Sequence, residues 1–289
     1  MIYSLITTME AHGNPGSELI TDGIKYWLRK NDPDATFQYI EMCKPDPEGW
    51  ENAKEADKLV FCGNPRFNIT ENKVWWDWDI WKHIFRSGKP FIDAWAGSAV
   101  PYCNISTPEK MAKQLMGVKK NVEVLKTHES RAELIIARDE TTFLLCKEFN
   151  PNTILLSCSS QYALHENNVK SESKDYNAIC LRKMPGCEKI LSKVLALKAR
   201  IEPCIIMCHS YNDLEWAKEL NPVVIDDHIE LLKFYSHVNQ LHCFRLHGSI
   251  PAYTLGANVV YYYNDSRRDT CFSFPEIKTV PYTQFPANL

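Results

Sequence analysis

Apolar residues come along this chain in blocks, not in strict alternation with polar ones. Short apolar runs at 2–7, 37–40, 58–62 and 90–94 read as strands buried on both faces, the pattern of a parallel sheet. Between the first two, 18–29 spaces its apolar residues as one face of a helix, and 73–86, 107–116 and 140–148 predict further helices. Strands near 122–125, 133–137 and 153–157 complete a first alternating series. The stretch 162–176 is polar and patternless and reads as a linker.

A second series follows it. Strands at 177–181, 203–207, 223–225, 241–244 and 259–263 alternate with helices at 186–199, 213–220 and 227–238. A last, short helix starts near Ser249 and is closed by Gly256. Such alternation predicts an α/β chain of two Rossmann-like domains, 1–165 and 166–289, with mainly parallel, doubly wound sheets. At 289 residues the chain is long enough for both.

Candidate chemistry concentrates where the strand at 241–244 meets the last helix. Arg245-Leu246-His247-Gly248 forms a polar corner there, at the carboxyl end of a parallel strand, where open α/β sheets hold their ligands. The helix beginning at the corner adds free backbone N–H groups and the positive end of its dipole. Arg245 and His247 beside it suit a phosphate or carboxylate. Arg138, Arg182 and His209 fall at other strand ends, and Arg267-Arg268 follows the last strand. At the first strand's end, 10–17 is a glycine-rich loop that matches neither a dinucleotide fingerprint nor a Walker A loop.

Composition narrows the picture further. A formal charge of −3 supplies no global basic field for nonspecific nucleic-acid binding. No 18-residue apolar run exists, so no membrane span is expected, and the first residues lack the features of a signal peptide. The eleven cysteines are scattered without a Cys-x-x-Cys pair and read as reduced thiols of a cytoplasmic protein. Cys204 and Cys208 are spaced poorly for zinc, and no metal site is expected. Four of the eight tryptophans fall at 75, 76, 78 and 81, on more than one helical face. They would serve either as a stacking platform or as packing against the second domain.

Arg245-Leu246-His247-Gly248-Ser249-Ile250-Pro251-Ala252, Gly256-Ala257, Val259-Val260 and then Asn264-Asp265-Ser266-Arg267 resemble the C-terminal signature of the polysaccharide pyruvyl transferase family. Asn264 departs from its usual Tyr, and Arg267 from its Lys. Asn14-Pro15-Gly16-Ser17-Glu18 resembles the family's N-terminal element, with Ser17 for Asp, and Arg138-Asp139 its Arg-Asp element. The resemblance implies two halves facing a cleft, as in B-type glycosyltransferases (GT-B), with residues 1–165 taking the acceptor and 166–289 the donor. It implies transfer of a pyruvyl group from phosphoenolpyruvate to a carbohydrate, independent of metal and of any resident cofactor. Arg245 and His247 would then be catalytic, His247 as general acid. Arg138, His209, Gly248, Ser249, Arg267 and Arg268 would bind the donor, and His12, Glu18 and Trp95 would approach the acceptor. Asp139 reads as a helix cap. The alternative keeps the architecture and changes the donor to a nucleotide sugar, with a glycan or a modified DNA base as acceptor. Nucleic acid enters only under that alternative.

Overall fold

The computed structural model describes residues 1–8, 14–42, 47–63, 65–69, 87–184 and 188–287. The tryptophan-rich stretch 73–86 and His12 lie outside them. Among the described residues two sheets carry the fold, and every strand pairing in them is parallel.

The first sheet contains β1 (Ile2–Thr7), β2 (Thr36–Glu41), β3 (Lys58–Cys62), β4 (Pro65–Asn68), β5 (Phe91–Ala99), β6 (Leu134–Ala137) and β7 (Thr153–Leu155). Their order is β2-β1-β3-β5-β6-β7, with β4 beside the second half of β5. The second holds β8 (Tyr176–Leu181), β9 (Cys204–Cys208), β10 (Val223–Val224), β11 (Val238–Cys243), β12 (Asn258–Tyr263) and β13 (Lys278–Pro281). Its order, β10-β9-β8-β11-β12-β13, is the Rossmann order of third, second, first, fourth, fifth and sixth strands. The order of strand addition reverses between β8 and β11, so a crevice opens at their carboxyl ends. Apolar clusters cover both faces of each sheet, which is why the strands read as unbroken apolar runs.

Several elements differ from the sequence expectation. Residues 122–125 are not a strand but part of the helix Lys119–Thr127, whose buried Asn121, Val124 and Leu125 follow helical spacing. The start of the expected linker is ordered: a 3₁₀ turn at Ser159–Tyr162 runs into a helix at Ala163–Glu166. Both pack on α1 (Pro15–Asn31), and Ser159 Oγ donates to the Ile20 carbonyl at 3.0 Å. Leu19 of α1, Cys158 and Ala163 belong to the same apolar cluster as the second sheet, so the two halves share a core.

Ion pairs tighten that junction. His228, which opens the helix His228–Ser236, reaches Asp22 at 3.0 Å and Glu18 at 3.4 Å on α1. Burial lowers the imidazole pKa, but the bonds to Asp22 and Glu18 outweigh it and lift it to about 10. Glu18 therefore faces a cation of the other half.

Candidate functional site

Both sheets deliver their strand ends to one cavity. It is lined by Asn14, Gly16, Ser17 and Ile20 of the α1 start, Gly63 after β3, Pro65 of β4 and Arg138 after β6. From the other half come Arg182 after β8, His209 after β9, Arg245, Leu246 and His247 after β11, and Arg267 after β12. Two helix N-termini border it, α1 and Leu246–Thr254, so backbone N–H groups and two dipole ends add to the guanidinium charge.

The corner itself forms as its residue types dictate. Arg245 is the extended N-cap residue of Leu246–Thr254, a helix that starts three residues earlier than expected. Gly248 is required by close approach, because a Cβ there would lie 2.6 Å from the Tyr235 hydroxyl and 3.0 Å from the Cys243 sulfur. Its contribution is packing. Ser249 donates from Oγ to the Arg245 carbonyl at 3.0 Å and is fully buried, so its hydroxyl is engaged within the helix.

Four arginines face the cavity in two different states. Arg245 is held by Asp213 through Nη2, while its Nη1 donates to Asn14 Oδ1 at 3.4 Å across the cleft. Asp213 in turn accepts from the Lys183 N–H at 2.9 Å and from Ser210 Oγ at 3.0 Å. Arg267 is chelated by Asp265, with Nε at 2.8 Å from Oδ1. Burial lowers its pKa, but the Asp265 charge more than offsets that and raises it.

Arg138 and Arg182 have no carboxylate within ion-pair distance among the described residues. Arg138 is fully buried, and its Nε and Nη2 have no hydrogen-bond partner among those residues. Burial depresses its pKa. Burial likewise depresses Arg182, helped by Arg267 and Arg245, to about 10. Two guanidinium charges thus line the cavity without a carboxylate in direct contact among the described residues, which costs free energy that a bound anion would offset.

Two imidazoles complete the site. His247 Nε2 lies 3.4 Å from Arg138 Nη1, so residues 109 apart in sequence meet from opposite halves. Burial, then Arg138, Arg267, His209 and Arg245, push His247 well below its ordinary pKa. The ring is therefore held in its neutral form at neutral pH. His209 is fully buried, with Nε2 2.8 Å from the Tyr235 hydroxyl, and burial depresses its pKa as well.

Other expected site residues lie elsewhere. Arg268 turns from the cavity to the Tyr263 hydroxyl at 2.7 Å and to Asp269. Trp95 is fully buried at a bulge in β5 with φ of 58°, its indole donating to the Ser157 carbonyl and meeting Trp27 edge-on at 5.6 Å. Glu18 is engaged by His228. Asp139 is the cap of the helix Glu140–Lys147, accepting from the Thr142 N–H at 2.8 Å. Asp213 and Tyr235 carried no signal in the sequence, whereas Arg182 had one as a strand-end residue and Asn14 and Asp265 as members of the resembling segments.

No family model matches the chain, and no curated protein matches its sequence. Solved structures match its fold. A candidate UDP-N-acetylglucosamine 2-epimerase from Listeria monocytogenes superimposes with a TM-score of 0.61 at 10% identity, covering 97% of this chain and 84% of that one. MnaA of S. aureus, solved with UDP, gives 0.60 at 10% identity over 97% and 84% of the two chains. The UDP-GlcNAc 2-epimerase of Neisseria meningitidis, bound to UDP-GlcNAc, gives 0.60 at 13% identity over 97% and 87%. The fold is therefore of the two-domain GT-B type. Among the described residues no helix is long and apolar enough to cross a membrane.

Proposed function

We propose that this protein is a GT-B-type transferase that takes a nucleotide sugar as donor and a carbohydrate or glycosylated molecule as acceptor. Residues 166–289 would hold the donor, with its diphosphate in the arginine-lined cavity, and 1–165 would present the acceptor. The observation that carries this reading is a pair of guanidiniums without a carboxylate partner among the described residues: Arg182 at the switch point of the Rossmann-ordered sheet, and Arg138 facing it from the end of β6. The diphosphate of a nucleotide sugar carries about two negative charges at neutral pH, which match those two cations; phosphoenolpyruvate carries about three. Neighbours of the same fold bound to UDP and UDP-GlcNAc support the same donor class.

In the reaction, an acceptor hydroxyl attacks the anomeric carbon while the bond to the diphosphate breaks; the hydroxyl proton passes to water, and one further negative charge develops on the leaving phosphate. Arg138, Arg182 and the two helix N-termini stand where that charge grows, and preorganised groups of this kind supply a few kcal/mol of barrier reduction. Arg245 is oriented by Asp213 and Asn14 to bind it from the remaining side.

A second reading, pyruvyl transfer, is favoured by one observation. Arg245-Leu246-His247-Gly248 stands opposite Arg138, as the signature resemblance implies. Thermal unfolding with a panel of ligands separates the two. A UDP-, GDP-, CDP- or ADP-sugar at saturating concentration is expected to raise Tm by roughly 5 °C, with no rise from phosphoenolpyruvate. The reverse result would reject the nucleotide sugar and leave pyruvyl transfer. Turnover of the nucleotide sugar without an acceptor would mark an epimerase or hydrolase instead.

A further inference from the structure

We infer that the cavity binds its anion together with one proton, so that a doubly charged phosphate-like group entering between Arg138 and Arg182 places that proton on His247. The inference rests on the anion-site reading above and specifies how that site responds to pH.

The geometry of the ring carries it. Arg138 Nη1 faces His247 Nε2 at 3.4 Å, so the guanidinium donates, the ring nitrogen accepts, and the ring proton sits on Nδ1. Protonation at Nε2 requires Arg138 to let go and an acceptor to come between the two. An anion oxygen in the cavity accepts from both at once.

The titratable groups that line the cavity with the ring come from five strand ends: Arg138, Arg182, His209, its own neighbour Arg245, and Arg267. From the start of α1 the residues lining the same cavity are Asn14, Gly16, Ser17 and Ile20, all uncharged. The carboxylates paired with the cavity's arginines are committed, Asp213 to Arg245 and Asp265 to Arg267. No described group of negative charge stabilises an imidazolium in the empty site, and the cations together with burial keep the ring neutral. A dianion inverts that field. Its two charges cancel the free guanidiniums, and an imidazolium then has an oxyanion to donate to. His209 is the other imidazole of the cavity, its Nε2 2.8 Å from the Tyr235 hydroxyl beneath Gly248, and the His247 variant below separates the two rings.

The sign follows from linkage. The His247 pKa is higher in the complex than in the empty protein. Affinity therefore rises as pH falls from the complex's value toward the empty protein's, by up to about tenfold per pH unit for one proton.

Sulfate is the appropriate probe, because it stays a dianion from about pH 5 to 9 and any proton taken up belongs to the protein. Calorimetric titration of the full chain with sodium sulfate at constant ionic strength, in two buffers of different ionisation heat, counts that proton. The expected result is uptake approaching one proton per sulfate and affinity rising toward low pH. In His247→Gln the affinity should drop to the wild-type value at high pH and lose its pH dependence. Should that variant misfold, the imidazole resonance of His247 in wild-type protein reads the same event, shifting to the protonated position on adding sulfate. Intact binding with a flat pH profile, or a pH profile that persists in His247→Gln, overturns the proton linkage alone. Absence of sulfate binding overturns the anion-site reading beneath it.

Discussion

Replacing Arg138 with methionine is expected to make the empty protein more stable and the working protein far worse. The guanidinium is fully buried with Nε and Nη2 unpartnered among the described residues. Asp139, next in sequence, is committed to the Ser98 N–H and hydroxyl and to the Thr142 N–H. An unpaired buried charge destabilises a fold, and methionine fills the same unbranched path without it. Unliganded Arg138→Met should gain roughly 1–3 kcal/mol in unfolding free energy. Its kcat/KM should fall on the order of 100-fold, because the lost charge stood where negative charge develops. Calorimetry without ligand and a steady-state assay check the pair. Lower stability with unchanged turnover would make Arg138 a structural residue and remove it from the site.

Gly23→Ala is expected to act through architecture instead. A Cβ at Gly23 would sit 1.8 Å from the Ser159 carbonyl oxygen, so α1 must lift from the turn at Ser159–Tyr162. Neither side is a flexible side-chain tip, and lifting breaks the Ser159 hydroxyl bond to Ile20. Overpacking of this kind should cost about 2–4 kcal/mol and lower Tm by roughly 5–15 °C. Ligand affinity should fall with it, since α1 carries Gly16, Ser17 and Ile20 into the cavity. An unchanged Tm would mean that helix and turn do not meet.

Why these two residues differ in legibility is instructive. Arg138 was visible in the sequence because it ends an apolar run, and strand ends of a parallel sheet share one rim. The same reasoning located Arg245, His247 and His209, all of which line the cavity. Gly23 carried no such signal. It sits inside a helical pattern, and its role depends on a backbone 136 residues away. Periodicity tells which face and which end a residue occupies, but not where a long side chain turns. Arg267 and Arg268 are adjacent, yet the first faces the cavity and the second turns to Tyr263. Trp95 looked like a loop residue after a strand. It proved to lie inside β5, because the strand continues through a bulge that points the indole into the core. Asp213 was hidden for a third reason. Its partner Arg245 lies 32 residues away, and only the fold brings them together.

Binding of inorganic pyrophosphate, measured by titration calorimetry on wild type, Arg182→Gln and Arg268→Gln, tests the central claim most directly. Pyrophosphate needs no knowledge of the nucleoside or the sugar. The account predicts one site on the wild type, at least about tenfold weaker binding in Arg182→Gln, and wild-type affinity in Arg268→Gln. Absence of binding to wild-type protein, or equal affinity in all three proteins, would contradict it.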